Sequence, residues 1–434
     1  MLLDRASLLI YRLVLWLAFP LIWLYLLKRS RKQPEYRLHW TERLGYFNQK
    51  HIAYGLQSDT RPIWLHAVSV GEMRALHPIV LALRERYPQA PLLLTCMTPT
   101  GRATAHELYG EQSGINACIV FLPYDYPSAI RRFLHTFKPR LGVIIDTEIW
   151  PNCIAECHRQ QIPLVLANAR LSQKSLNGYL KVAPLMRVVL PQLAAVYAQS
   201  GQDAERLTQL GAQQVQVMGN VKFDSRLDPA LIARGKDWKT ALKRKILLLA
   251  SSRDGEEALL LQHLGVLPAE LLLIIVPRHP QRFDVVAELI SARGLTLIRR
   301  SQWAGEAMSA QVLLGDSMGE MAAWFSAADV TIMGGSLLKF GSQNLIEAAA
   351  CGSPILLGPS TFNFAQASSE AIAAGAAWQG DDAAAVGQQA LQLLNDDVRR
   401  EQMGQAGIVF SQAHRGATAR LLDELALYLG ERLD

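Results

Sequence analysis

Short, continuous apolar runs recur along this chain, spaced by helix-like patterns, and no other feature limits its fold as strongly. A first series occupies residues 63–68, 91–96, 118–122, 141–146, 164–168, 194–198 and 215–218. Helical patterns at 71–87, near 102, at 128–137 and at 152–161 fall between its members. Strands that are apolar on both faces belong in a parallel sheet covered on both sides by helices. After a polar stretch at 224–245 the rhythm restarts, with runs at 246–250, 271–276, 295–298, 312–314, 330–333 and 355–357. The tail, 383–433, reads as two or three helices. A chain of 434 residues is too long for one core. The two series therefore predict an α/β protein of two Rossmann-like, doubly wound domains joined near residues 220–245. Such sheets bind ligands beyond the carboxyl ends of their strands, so the expected site is a cleft between the domains. Neither GxGxxG nor GxxxxGK[ST] occurs, which argues against a dinucleotide or Walker-type phosphate site.

A different pattern precedes the first series. Residues 8–27, LLIYRLVLWLAFPLIWLYLL, carry a single charge, Arg12. As a helix they would extend about 30 Å, the thickness of a bilayer's hydrocarbon core. Pro20 would kink the helix, which membrane helices tolerate. Lys28, Arg29, Arg31, Lys32 and Arg37 follow. Basic residues stay on the cytoplasmic side, so the chain after residue 28 is expected in the cytosol. Residues 1–30 are thus expected to be an N-terminal hydrophobic anchor helix, either a single span or a monotopic helix; a buried core helix is the remaining alternative. No small-residue cleavage site follows, which argues against a removed signal peptide.

The net charge of +6 suits nucleic acid, an anionic membrane or a phosphorylated substrate. The chain lacks a concentrated basic-aromatic stripe outside the anchor region, so no nucleic-acid partner is expected. Its five cysteines form no CxxC pair and no zinc-spaced Cys/His set. They read as buried thiols of a reducing compartment, and no metal site is expected.

The candidate chemistry lies where apolar runs give way to helices. Glu72, in HAVSVGE, falls in the first turn of a helix; there it either takes a proton from a hydroxyl or complements the helix dipole. Asp146 and Glu148, in DTEIWPN, end a very apolar strand and read either as ligand contacts or as helix-start acids. Lys222, in GNVKFD, closes the first half, where a cation would meet a phosphate or merely be exposed. Pro277, Arg278 and His279 follow LLLIIV, and Arg278 suits a bidentate grip on phosphate. Met318, Gly319 and Glu320 follow another strand, with Asp316 or Ser317 as a helix cap. GGS and GSQN bracket a glycine turn before a helix expected to start near Ser342. Asn344 and Glu347 would share one face of that helix, suited to a ribose diol, with a phosphate on backbone N–H groups.

Taken in order, WLHAVSVGE, TPTG (98–101), LPYD (122–125), DTEIWPN, NARLS (168–172), GNVKFD, PRHPQRF, GDSMGEM and LLGPSTFNF (356–364) resemble the 3-deoxy-manno-octulosonic acid (Kdo) transferases of lipopolysaccharide synthesis. The resemblance runs from the anchor to about residue 375. It implies a GT-B type fold, with an acceptor-binding domain at 31–224 and a CMP-sugar-binding domain at 225–434, whose last helices would pack back on the first domain. It implies transfer of Kdo from CMP-Kdo to a lipid A precursor (lipid IVA), by an inverting reaction without metal or cofactor, at the cytoplasmic side of a bacterial inner membrane. By the same resemblance Glu72 is the general base, and Asp146 and Lys222 stabilise the transition state. Pro277, Arg278, Met318, Gly319, Glu320, Asn344, Leu345, Ile346 and Glu347 would contact CMP. The chain departs from the family at Asp146 (usually Glu), at Arg253 and Ser360 (each usually His) and at GSQN (usually GGHN). A GT-B transferase of another nucleotide sugar, or an inactive paralogue that binds lipid A precursor, are the alternative readings.

Overall fold

The computed structural model describes residues 2–31, 33–56 and 61–430. Lys32 and residues 431–434, the end of the expected tail, lie outside the described residues. The chain divides into two compact units, Met1–Ser225 with Arg415–Asp434, and Arg226–His414.

The first unit holds a parallel sheet of β1 (Ile63–His66), β2 (Leu92–Cys96), β3 (Cys118–Phe121), β4 (Leu141–Ile145), β5 (Leu164–Ala169), β6 (Ala195–Ala198) and β7 (Val215–Val217), in the order β3-β2-β1-β4-β5-β6-β7. Successive side chains alternate between its faces. Ile63 and Leu65 enter one apolar layer, while Trp64 enters the other with Leu93, Ile144 and Phe133. The strand order reverses between β1 and β4, so the loops after these two strands diverge and leave a crevice at their carboxyl ends.

The second unit repeats the plan with β8 (Lys245–Ser252), β9 (Leu271–Pro277), β10 (Leu297–Arg299), β11 (Val312–Leu314), β12 (Val330–Met333), β13 (Ile355–Leu357) and β14 (Ala377–Gln379). Their order is β10-β11-β9-β8-β12-β13-β14, all parallel. Its reversal falls between β8 and β12.

Several local expectations change. The helix expected at 71–87 is two, Val70–Ala75 and His77–Arg86, broken at Leu76 with Pro78 in the first turn of the second. The polar stretch at 224–245 is largely a helix, Pro229–Leu242, that belongs to the second unit. Its Trp238 is buried against Trp303 and Trp324. Gly235 admits this packing, because a Cβ there would stand 2.2 Å from the Ala323 carbonyl oxygen. The helix expected from Ser342 begins only at Ile346, since Gly341 and Ser342 both take left-handed backbone, with φ of 86° and 68°. The last helix, Ala417–Leu429, belongs to the first unit, where Asp224 accepts hydrogen bonds from the N–H groups of Gly416 and Thr418, both at 2.6 Å.

Residues 8–27 lie within one helix, Leu2–Ser30, of the first unit. By length and composition it is apolar enough to cross a membrane, with mean hydropathy 1.9 over its most apolar part. It is also docked along its length. Leu8 and Tyr11 pack on the Trp64 layer, Trp16 and Phe19 meet Tyr126, Trp23 meets Trp40, and Leu26 is buried. The other face, with Leu9, Ile10, Leu13, Val14, Leu17, Leu21 and Leu24, is exposed.

Candidate active site

The first unit gathers three carboxylates at its switch point. Glu72 is the third residue of the helix that follows β1, one turn after the N-cap Ser69. Its Oε2 accepts from the Val68 N–H at 2.6 Å and its Oε1 from the Ser69 hydroxyl at 3.0 Å. This reach back over the helix start is a variant of the capping box, so the helix-start role foreseen for Glu72 is real. It does not exhaust the residue. Burial pushes the Glu72 carboxyl above its ordinary range, and the charge of Asp146 pushes the same way. Asp146 directly follows β4, the sheet neighbour of β1. Glu148, two residues on, is pushed up to about 7, by burial first and then by Glu72 and Asp146. Crowded like charges hold a proton that each alone would lose.

Asp146 is held in an unusual conformation. Its φ is 62°, a left-handed value uncommon outside glycine. Asn168, the penultimate residue of the neighbouring β5, is also left-handed, with φ 51°. The Asn168 Nδ2 donates to Asp146 Oδ1 at 2.7 Å, and its Oδ1 accepts from the Val221 N–H at 3.2 Å. Asn168 thus ties the Asp146 turn to the segment carrying Lys222, whose own N–H bonds Asn220 Oδ1 at 3.0 Å. Nearby, His66 at the end of β1 is fully buried and pushed down to about 3 by burial. Its Nδ1 meets the Thr95 hydroxyl at 2.8 Å.

In the second unit the expected residues lie on three loops. Pro277 ends β9 and is buried; Arg278 is half-buried, its N–H bonded to the Ser252 carbonyl at 2.9 Å. His279 is exposed and held below its ordinary pKa by burial and by Arg253, Arg278 and Arg282. Arg253 lies against it, while Arg282 is paired with Asp254 and Glu257. Met318 is 54% exposed and Gly319 has φ 83°. Glu320 is gripped by Arg300 at 2.9 and 3.0 Å, by Arg234 at 3.1 Å and by the Ser317 hydroxyl at 2.5 Å. Burial opposes its ionisation, but Ser317 and the arginines prevail and hold it below the ordinary range. Asn344 and Glu347 do meet, Nδ2 to Oε1 at 3.1 Å. Leu345 and Ile346 are buried in the core, and the Ile346 N–H is taken by Asn344 Oδ1 at 3.1 Å.

A further carboxylate assembles these loops. Glu256, fully buried after β8, accepts N–H bonds from Arg253 at 2.8 Å, Gly335 at 2.7 Å, Leu337 at 2.9 Å and Leu338 at 3.3 Å. It fixes the loop after β12 against the loop after β8. The unusual residues fit this frame. Arg253 stacks on Phe340 and meets His279 Nε2 at 3.2 Å, and the Ser360 hydroxyl accepts from the Gly341 N–H at 3.0 Å.

Sequence reasoning read Glu148, with Asp146, as a ligand contact or a helix-start acid, and gave no role to Asn168 or Glu256. The motifs held all but one of the signals: DTE places Glu148 beside Asp146, and NARLS opens on Asn168. Glu256 carries no local sign, because its partners in the loop after β12 come from 79 to 82 residues away.

Two parallel units of this strand order have counterparts among solved structures. The UDP-GlcNAc 2-epimerase from Neisseria meningitidis bound to UDP-GlcNAc aligns over 84% of this chain and 99% of its own, with a TM-score of 0.57 at 15% identity. The Anabaena protein HepE in complex with UDP aligns over 85% and 100%, with a TM-score of 0.58 at 14% identity. The fold is therefore of the GT-B class. Residues 38–225 match the family described as 3-Deoxy-D-manno-octulosonic-acid transferase (kdotransferase). The 3-deoxy-D-manno-octulosonic acid transferase of Bordetella pertussis is 42% identical over 430 residues, covering 97% of this chain and 99% of that protein. Its Haemophilus influenzae counterpart is 34% identical over 429 residues, 96% and 98% of the two chains. The chain belongs to the Kdo transferase family of glycosyltransferases.

Proposed function

We propose that this protein transfers Kdo from CMP-Kdo to a hydroxyl of a lipid A precursor of the lipid IVA type, by direct inverting displacement without metal or cofactor. The observation that carries this reading is the Glu72 carboxyl: half-buried at the helix start, raised by desolvation and by the charge of Asp146, and held by Val68 and Ser69. A carboxylate so poised has the affinity a general base needs. In the step proposed, the acceptor oxygen bonds to the anomeric carbon while its proton passes to Glu72. The bond from that carbon to the CMP phosphate oxygen breaks, and CMP departs with the electron pair. Arg278 and Lys222 offset the phosphate charge, and Asp146 stabilises the transition state. Pro277, Met318, Gly319 and Glu320, with Leu345 and Ile346, hold the nucleotide; Asn344 and Glu347 take the ribose diol.

The N-terminal helix supports a site at an anionic membrane surface, on the cytoplasmic side. With one face docked on the first unit from Leu8 to Leu26, the helix suits an in-plane, monotopic attachment better than a span. Lys28, Arg29 and Arg31 at its end would meet acidic headgroups.

The test is mass spectrometry of lipid IVA after incubation with CMP-Kdo and the protein: each transfer adds one Kdo residue. An unchanged lipid with active control enzyme present overturns the reading. CMP should raise the melting temperature more than UDP does; the reverse order would point to another nucleotide sugar.

A further inference from the structure

Arg12 is out of place in a helix that serves only as a membrane anchor, because a charge in an apolar run is costly. Its surroundings explain it. Arg12 Nε donates to Asn152 Oδ1 at 2.7 Å. The neighbouring Tyr11 hydroxyl donates to Asp125 Oδ2 at 2.9 Å. A third bond runs from the Tyr126 hydroxyl to the Leu15 carbonyl at 2.8 Å. These polar groups all face the first unit, while Leu9, Ile10, Leu13 and Val14 are exposed.

Both partners lead to one place. The helix Pro151–Arg159 has no side-chain cap of its own at Trp150. Its free N–H groups are taken instead by the buried Asp125, which accepts from Asn152 at 2.9 Å and from Cys153 at 2.8 Å. Asn152 Nδ2 returns a bond to the Asp125 carbonyl at 2.6 Å. Residues 146–150 bridge the end of β4 and this helix. Their near end is fixed by the bond from Asn168 to Asp146 and by Thr147 Oγ1 donating to the Arg170 carbonyl at 2.5 Å. Their far end is fixed by the Asp125–Asn152 cap. Tyr11 and Arg12 brace that cap from the apolar helix.

We propose that the N-terminal helix is part of the catalytic framework as well as an anchor: seated through Tyr11 and Arg12, it positions the loop carrying Asp146 and Glu148. Tyr11 and Arg12 are positioning residues; they act through Asp125 and Asn152. This inference rests on the reading of Glu72 and Asp146 as catalytic acids. Its consequence is that unseating the helix slows transfer even where membrane attachment is unaltered.

The experiment uses the full chain with Tyr11→Phe, Arg12→Ala and Arg12→Lys, each read three ways. Flotation with vesicles containing acidic phospholipid should be unchanged, since the exposed apolar face is intact. Amide hydrogen exchange of residues 146–157 should quicken in Tyr11→Phe and Arg12→Ala relative to the rest of the first unit. With a detergent-dispersed acceptor, kcat should fall about tenfold at unchanged KM for CMP-Kdo, the size expected of a modest misplacement, with Arg12→Lys recovering part of the loss. Exchange at 146–157 equal to that of the unaltered protein overturns the proposal, whatever the activity. A wild-type protein that transfers nothing strikes the functional reading alone, and the exchange measurement still decides this one.

Discussion

Glu72 and Glu256 occupy matching places in their units: each opens the helix that follows the central strand at a switch point. Their surroundings differ. Glu256 receives four backbone N–H groups, drawn from the loops after β8 and β12. Glu72 receives one N–H and one hydroxyl, and shares its crevice with Asp146 and Glu148. Burial raises both carboxyls against the pull of their hydrogen-bond donors, and at Glu72 the charge of Asp146 adds to the rise. The same helix-start acid is therefore saturated with backbone donors in one unit and set among other carboxylates in the other. Surroundings, not position in the βα unit, decide which.

The sharpest way to break this comparison is Glu72→Gln. The amide keeps the shape and can still accept from Val68, but cannot take a proton. Turnover should fall by about 10³-fold, within the usual range for losing a general base. The increase in melting temperature caused by CMP should persist. Near-normal turnover would reduce Glu72 to a cap and make the two acids alike.

The opposite variant, Glu256→Ala, should act on the fold. Leaving several buried N–H groups without an acceptor costs on the order of 3 kcal/mol or more. Thermal melting should show an early transition of the second unit, and the increase caused by CMP should shrink with it. If Glu256→Ala melts like the unaltered protein, the four-bond hub is not what orders these loops.

Glu148 sharpens the comparison through pH. It ionises at about 7 in the folded chain, against an ordinary 4.5. The folded chain thus binds this proton more tightly than the unfolded one, so the stability it contributes is full below pH 4.5 and is lost as pH rises through 7. Glu148→Gln should therefore raise the melting temperature more at about pH 8 than at about pH 5.

What the sequence revealed follows the same division between local and distant causes. Strands such as β9 and β12 were legible because each is a continuous apolar run. β14 was not, since Ala377–Gln379 is three residues long and only partly buried. The helix Pro229–Leu242 was hidden by a polar surface, its hold on the second unit depending on Trp238 and Gly235. Glu72 and Asp146 stood out at strand ends. The pressure on Glu148, the cap supplied by Asp125 and the hub at Glu256 all arise between elements distant in sequence, and no periodicity records them. The docking of the N-terminal helix belongs to the same group: composition marks it as apolar, but only Asp125 and Asn152 explain Tyr11 and Arg12.

The smallest effect tests whether a departure from the family is framework or chemistry. Ser360 stands where a histidine is usual, and its hydroxyl accepts from the Gly341 N–H at 3.0 Å. Gly341 has little room to move: its φ is 86°, and a Cβ there would stand 2.6 Å from both Asn363 Nδ2 and the Phe362 ring. Its carbonyl also accepts from the Asn363 N–H at 2.9 Å, closing the turn from the other side. Ser360→Ala removes one of these restraints and should cost about 1 kcal/mol, the net value of a single hydrogen bond. The melting temperature should fall slightly and KM for CMP-Kdo rise less than tenfold, with kcat nearly unchanged. A large fall in kcat would instead give Ser360 a part in the reaction itself, and the second unit would then carry chemistry that its framework acids do not suggest.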